Sequence, residues 1–183
     1  MFRNGAAREA REAEYLEFAA GRTPQLYRSA CLLTGGDTHL AEDLVQETLG
    51  RMYVLWQRHS GFTGTDRKDR IDNPAAYAHT VLVRAYLTHR RRRSSSEQPI
   101  AELPDRAARE GDPELRLTLL EALGRLSPRD RAVLILRYWE DRSVEQTAEA
   151  LRVSPGAVRV QSLRALARLR ALLAGAPTEP TLS

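Results

Sequence analysis

The chain has 183 residues, 42% of them hydrophobic, with a net charge of +4 and a pI near 9.6. That suits a folded chain of one domain or two small ones, with a modest bias towards acidic partners. The single cysteine, Cys31, excludes a disulfide framework and a cysteine-based zinc site, and no apolar run reaches the length of a membrane span. With no signal-peptide core at the start, a soluble cytoplasmic protein without membrane insertion is expected.

Residues 1–13, rich in Ala, Arg and Glu, either extend the first helix or stay loose. Residues 14–20 point Tyr15, Leu16 and Phe18 towards a core. Thr23-Pro24 reads as a cap and first-turn pair. Leu26, Tyr27, Ala30 and Leu33 then recur at helical spacing, and Gly35-Gly36 stops the helix. Cys31, inside that helix, reads as a buried structural thiol.

Asp37 or Thr38 starts the next helix, which runs to about His59. Ala41, Leu44, Val45, Thr48, Met52 and Trp56 form its inner stripe. The outer face carries Glu42, Asp43, Gln46, Glu47 and Gly50, with Arg51 and Arg58 nearer the end. Acids early and arginines late also suit the helix dipole. Residues 60–72 are polar and glycine-containing and read as a loop. Asn73-Pro74 starts a third helix through Ala76, Tyr77, Thr80, Val81, Arg84 and Leu87, which ends in Arg90, Arg91, Arg92 and Arg93. Four consecutive arginines exceed what a dipole needs and point to phosphate.

Residues 94–112 lack apolar periodicity and read as a linker. Net charge is +4 over residues 1–93, −3 over 94–113 and +3 over 114–183, so two basic modules flank an acidic tether. Asp112-Pro113 opens a helix over 114–123. Three helix starts follow: Ser127-Pro128 with Asp130 three residues on, Ser143 with Gln146, and Ser154-Pro155. Only Arg152 and Val153 separate the last two helices, which predicts a helix-turn-helix. Val144, Ala148, Leu151, Val153 and Val158 supply its core. The last helix shows Arg159, Gln161, Arg164 and Arg168 outward, a spacing suited to the major groove and its phosphates. Residues after Ala174 read as a disordered tail. The expected architecture is all-α, in two helical domains with a flexible linker.

No constellation for catalysis is present. His39, His59, His79 and His89 are scattered, and neither HExxH nor a phosphate-cradling glycine loop occurs. The expectation is a protein that is not an enzyme, with no metal and no cofactor.

From about Glu14 to Leu173 the chain resembles the extracytoplasmic-function sigma factors, the compact class of sigma-70 proteins, and within them the actinobacterial SigE-like group. Three segments in order carry the resemblance. Residues 41–48, AEDLVQET, resemble sigma region 2.2. Residues 73–77, NPAAY, resemble the start of the promoter-reading helix. Residues 126–151, LSPRDRAVLILRYWEDRSVEQTAEAL, are similar to region 4.

The resemblance implies a region 2-like domain over 14–93, a linker over 94–112 that threads towards the polymerase active-site channel, a region 4-like domain over 113–173 and a tail over 174–183. It implies that Asp43, Gln46, Glu47 and Arg51 bind the β′ clamp helices of core RNA polymerase, with the β subunit a further partner. Tyr77, Arg84, Thr88 and Arg90, Arg91, Arg92 and Arg93, with the 60–72 loop, would recognise and open the −10 element. Arg159, Val160, Leu163, Arg164 and Arg168 would contact the −35 element. An anti-sigma factor is an implied partner, and the nucleoid the implied site of the holoenzyme. The chain departs from the usual pattern at Arg84, where asparagine is usual, at Val160 and Ser162, and at Arg152, where glycine is common. Two other readings fit part of the pattern: a conventional helix-turn-helix regulator, and a polymerase-binding adaptor that reads no promoter.

Overall fold

The computed structural model describes residues 3–58, 71–95 and 113–175. These form seven helices and no strand among the described residues: α1 Arg3–Thr34, α2 Thr38–Arg58, α3 Pro74–Ser95, α4 Pro113–Gly124, α5 Pro128–Leu134 with a π turn Ile135–Trp139 directly after it, α6 Val144–Leu151 and α7 Pro155–Ala174. The 60–72 loop, the linker and the tail fall largely outside the described residues.

The first helix differs from expectation. Thr23-Pro24 does not start a helix; Pro24 lies inside the continuous α1. A proline there removes the hydrogen bond to the carbonyl four residues back. Thr23 Oγ1, one residue earlier, donates to the Ala19 carbonyl at 2.7 Å. Leu16 is also not a core residue: it is exposed, while Tyr15 is buried and Phe18 half-buried. At 3.6 residues per turn, positions 15 and 18 share a face and position 16 rotates away. Tyr15 and Phe18 meet Tyr53 and Trp56 of α2, with centroids 5.0 Å apart for Tyr15–Tyr53 and 5.4 Å for Phe18–Trp56. Tyr15 Oη donates to the Leu49 carbonyl at 2.6 Å.

The helix stops at Gly35-Gly36 as expected. Both have positive φ, and the Gly36 N–H returns to the Cys31 carbonyl at 2.9 Å. A Cβ on Gly35 would lie 2.9 Å from Gly124 Cα, so this turn and the end of α4 approach backbone to backbone. Asp37 caps α2 through Oδ1, which accepts the Leu40 N–H at 3.0 Å. The whole expected inner stripe of α2 is buried. Cys31 is buried too.

Asn73 caps α3, accepting the Ala76 N–H at 2.9 Å. The burial of α3 is nearly all round over residues 78–83 and at Ala85 and Tyr86, as befits a helix packed on several sides. Helices α1 and α2 lie against it, and so do α5 and α6. One apolar core therefore runs from Leu26, Leu44 and Leu82 into Ala132, Leu136 and Ala150. A second cluster joins Leu123, Leu126 and Leu134 to Ala165 of α7.

Two buried arginines bind the halves. Arg131 Nη1 donates to the Leu33 carbonyl at 2.6 Å, and Nη2 to Gly124 at 2.7 Å and Leu126 at 3.2 Å. Its guanidinium thus gathers the carbonyls where α1 and α4 end, where the helix dipole is negative. Arg142 Nη1 donates to Thr80 Oγ1 at 2.8 Å and Nη2 to the Ala76 carbonyl on α3. Burial pushes the pKa of both arginines down.

Candidate functional site

The helix-turn-helix forms from local chemistry. Ser143 and Gln146 make a reciprocal capping box at the start of α6. Ser154 caps α7 by accepting the Ala157 N–H at 3.2 Å. Between them Arg152 takes the left-handed conformation, φ 55° and ψ 49°, and Val153 N–H closes on the Ala148 carbonyl at 3.0 Å. Ala148 and Val158 are buried where the two helices cross.

This geometry turns Val158, Ser162 and Ala165 inward and leaves the opposite face of α7 free. Arg159 and Arg164 are exposed, Val160 is 50% exposed and Leu163 70%. Large apolar residues left open between arginines suit thymine methyl groups, as the arginines suit guanine edges and phosphates. Arg159 pairs with Glu145 of α6 at 3.2 Å, but both are well exposed, so the pair contributes little and opens readily. Arg168, expected on the same face, forms an ion pair with Asp130 of α5.

The expected α2 residues Asp43, Gln46, Glu47 and Arg51 are all exposed on one side of the helix, with Glu47 and Arg51 ion-paired across one turn. Glu47 and Arg51 share a cleft of about 580 Å³ with Tyr77 and Arg84 of α3 and Arg152 of the helix-turn-helix. Two expected sites thus meet in one cleft. Thr88 and Arg90 to Arg93 lie further along α3, the arginines exposed. Their field is felt by His89, whose pKa is lowered by burial and then by Arg93 and Arg90. Arg84, half-buried in that cleft, is engaged within the fold: its Nε donates to the Ala150 carbonyl at 2.9 Å and its Nη2 to the Glu149 carbonyl at 3.1 Å, at the end of α6.

Several residues that position these faces carry no local sequence signal. The π turn rotates Glu140 towards α1 and α3, where it accepts from Ser29 and lies 2.9 Å from His79 Nδ1. Burial raises the Glu140 pKa, but the close His79 imidazole, the Ser29 hydrogen bond and the Arg142 charge outweigh it and hold the carboxyl below its usual value. Trp139 Nε1 donates to Ser29 at 3.2 Å. Asp130 sits at the third position after the Ser127 cap, where a capping-box carboxylate would turn back. It points instead to α7. Among the described residues there is no group of His, Cys, Asp and Glu placed to hold a metal, and no helix long and apolar enough to cross a membrane.

Comparison with known proteins agrees with these features. Residues 116–169 match the Sigma-70, region 4 family. The chain is 36% identical over 159 residues to the RNA polymerase sigma-E factor of Streptomyces avermitilis, covering 86% of this chain and 83% of the relative. The chain belongs to the extracytoplasmic-function RNA polymerase sigma factors. It is also 33% identical to the ECF RNA polymerase sigma factor ShbA of Streptomyces griseus, over 76% of this chain and 75% of that one. Its fold is similar to that of the sigma factor RpoE from Bartonella quintana, solved in complex with the anti-sigma factor NepR. That match has a TM-score of 0.68 at 24% identity and covers 90% of this chain and 99% of the other. As a sigma factor it serves core RNA polymerase in promoter recognition and transcription initiation.

Proposed function

We propose that the work of this sigma factor is divided along the chain, with a polymerase- and −10-binding domain over 14–93, a linker over 94–112 and a −35-binding domain over 113–173. The observation that carries the reading is the outer face of α7. Arg159, Val160, Leu163 and Arg164 stand clear of the core, at the second helix of a capped helix-turn-helix. A helix so presented enters the major groove. Asp43, Gln46, Glu47 and Arg51 bind the β′ clamp helices, and Tyr77, Arg84, Thr88 and Arg90 to Arg93 engage the −10 element.

Opening the −10 element disrupts stacking at about 1.4 kcal/mol per step. Base stacking on Tyr77 and phosphate contacts of the arginines offset it. Arg84 reaches DNA by exchanging its bonds to the Ala150 and Glu149 carbonyls for contacts with the promoter. The protein acts without catalysis of its own, in the cytoplasm and, as holoenzyme, on the nucleoid. An anti-sigma protein holds it inactive. The complex of RpoE with NepR supports that last part, and recovery of the tagged chain from cells bound only to polymerase would contradict it.

The test replaces Arg159 and Arg164 by Ala in holoenzyme. Each lost base contact weakens promoter discrimination by about 1–3 kcal/mol, while core binding stays at the wild-type level. Undiminished promoter use would leave the adaptor reading in its place.

A further inference from the structure

Asp130 is an acid set behind a DNA-facing helix. Its side chain is only 5% exposed. It lies in a cleft of about 460 Å³ shared with Val160, Gln161, Arg164 and Arg168 of α7. Both carboxylate oxygens are used. Oδ1 accepts from Gln161 Nε2 at 3.2 Å, and Oδ2 holds the Arg168 guanidinium. The two partners lie seven residues apart, two turns of α7, so one carboxylate fixes the helix at two points along one stripe. Ser127 fixes Asp130 in turn, by accepting its backbone N–H at 3.1 Å.

The two restrained side chains carry chemistry that DNA can use. Gln161 has the donor and acceptor needed to read adenine, and Arg168 the charge needed to bind phosphate. Arg168 is 62% exposed, so burial does not withhold it; its ion pair does. Arg159 is held by an exposed pair with Glu145, and Arg164 is exposed at the edge of the Asp130 cleft.

We propose that Asp130 is a positioning residue for −35 recognition: its carboxylate keeps Gln161 off the bases and Arg168 off the phosphates, so that Arg159 and Arg164 read the groove from a fixed helix. The proposal rests on α7 being the −35 reader. It assigns Asp130 two separable effects. The hydrogen bond to Gln161 sustains sequence selectivity. The ion pair with Arg168 removes one phosphate contact from the binding, and so limits affinity for any sequence.

The two effects come apart in three variants: Asp130→Asn, Asp130→Ala, and Asp130→Ala with Arg168→Ala. Each is assembled with sigma-free core polymerase. Binding is measured across a salt series to a promoter fragment recovered by run-off transcription, and to the same fragment with its −35 element scrambled. Asp130→Asn keeps an acceptor for Gln161 and loses the charge. Its slope of log Kobs against log salt steepens by about 0.9, one added phosphate contact, with selectivity retained. Asp130→Ala steepens the slope equally and lowers the preference for the intact −35 element about fivefold or more, the scale of one base-edge contact. The double variant returns to the wild-type slope and keeps the reduced selectivity.

A steepened slope that persists in the double variant would mean that loss of a nearby negative charge, not release of Arg168, is responsible, and would overturn the proposal. So would wild-type slope and selectivity in Asp130→Asn and Asp130→Ala proteins whose melting matches wild type. If wild-type holoenzyme did not prefer the intact −35 element, the underlying reading of α7 would fall, and the role of Asp130 with it.

Discussion

Replacing Arg131 by Met keeps most of the side-chain volume and its packing, with the loss confined to the guanidinium. The bonds to the carbonyls of Leu33 and Leu126 are buried, and that to Gly124 is partly so. A buried polar group left without its partner costs about 1–3 kcal/mol. Gly124 is exposed enough to turn to water, so two carbonyls set the scale, at roughly 2–6 kcal/mol. Against this stands relief from burying a cation, the effect that pushes the Arg131 pKa down. A net loss of about 3 kcal/mol follows, or roughly 6–12 °C in Tm for a chain of this size. Thermal unfolding followed by circular dichroism at constant pH reads it directly. Arg131→Lys, with one compact ammonium in place of a fork, recovers part of the loss. A Met variant melting within about 2 °C of wild type would refute the reasoning that Arg131 ties together the ends of α1 and α4.

Gly35→Ala places a Cβ against Gly124 Cα at 2.9 Å with φ at +70°; the left-handed backbone alone costs about 1–2 kcal/mol, and denaturant titration should show at least that loss. Arg152→Gly relieves similar strain at φ 55° but adds freedom to the unfolded chain, so a gain of about 0.5 kcal/mol in the same titration is expected. Glu140→Gln removes the carboxylate facing His79, Ser29 and Arg142 and costs about 1–2 kcal/mol at pH 7. Because the folded Glu140 pKa is depressed, that contribution is full above the ordinary carboxylate range, near pH 4.3, and is lost as pH falls through the folded value. The melting temperatures of wild type and variant therefore converge on acidification, and a constant gap down to pH 3 would count against the Glu140 network.

Features set by short-range rules were legible in the sequence. The stripe of α2 has a strict helical period, and Ser127, Ser143 and Ser154 sit where their side chains meet backbone N–H groups within one turn. The outward face of α7 followed from that periodicity. Rules of the same range failed at Thr23-Pro24, because a proline pattern reads alike at a helix start and at a tolerated interior site. They failed at Leu16, where hydrophobicity outweighed the helical phase. What no local pattern carries is a partner distant in sequence. Arg84 looks free for DNA until α6 presents its last carbonyls to it. Arg168 looks free until α5 presents Asp130. Glu140 follows directly on a five-residue π turn, which leaves no mark in composition, and its partners His79 and Ser29 lie far off in sequence.

The most direct test of a sigma factor is run-off transcription from a pool of genomic fragments, with sigma-free core polymerase alone and with the full chain added. The account predicts new 5′ ends that appear only with the chain and share upstream −35 and −10 elements, and that vanish with Arg159→Ala and Arg164→Ala together. No new transcripts, from a core that a control sigma activates on the same fragments, would contradict it.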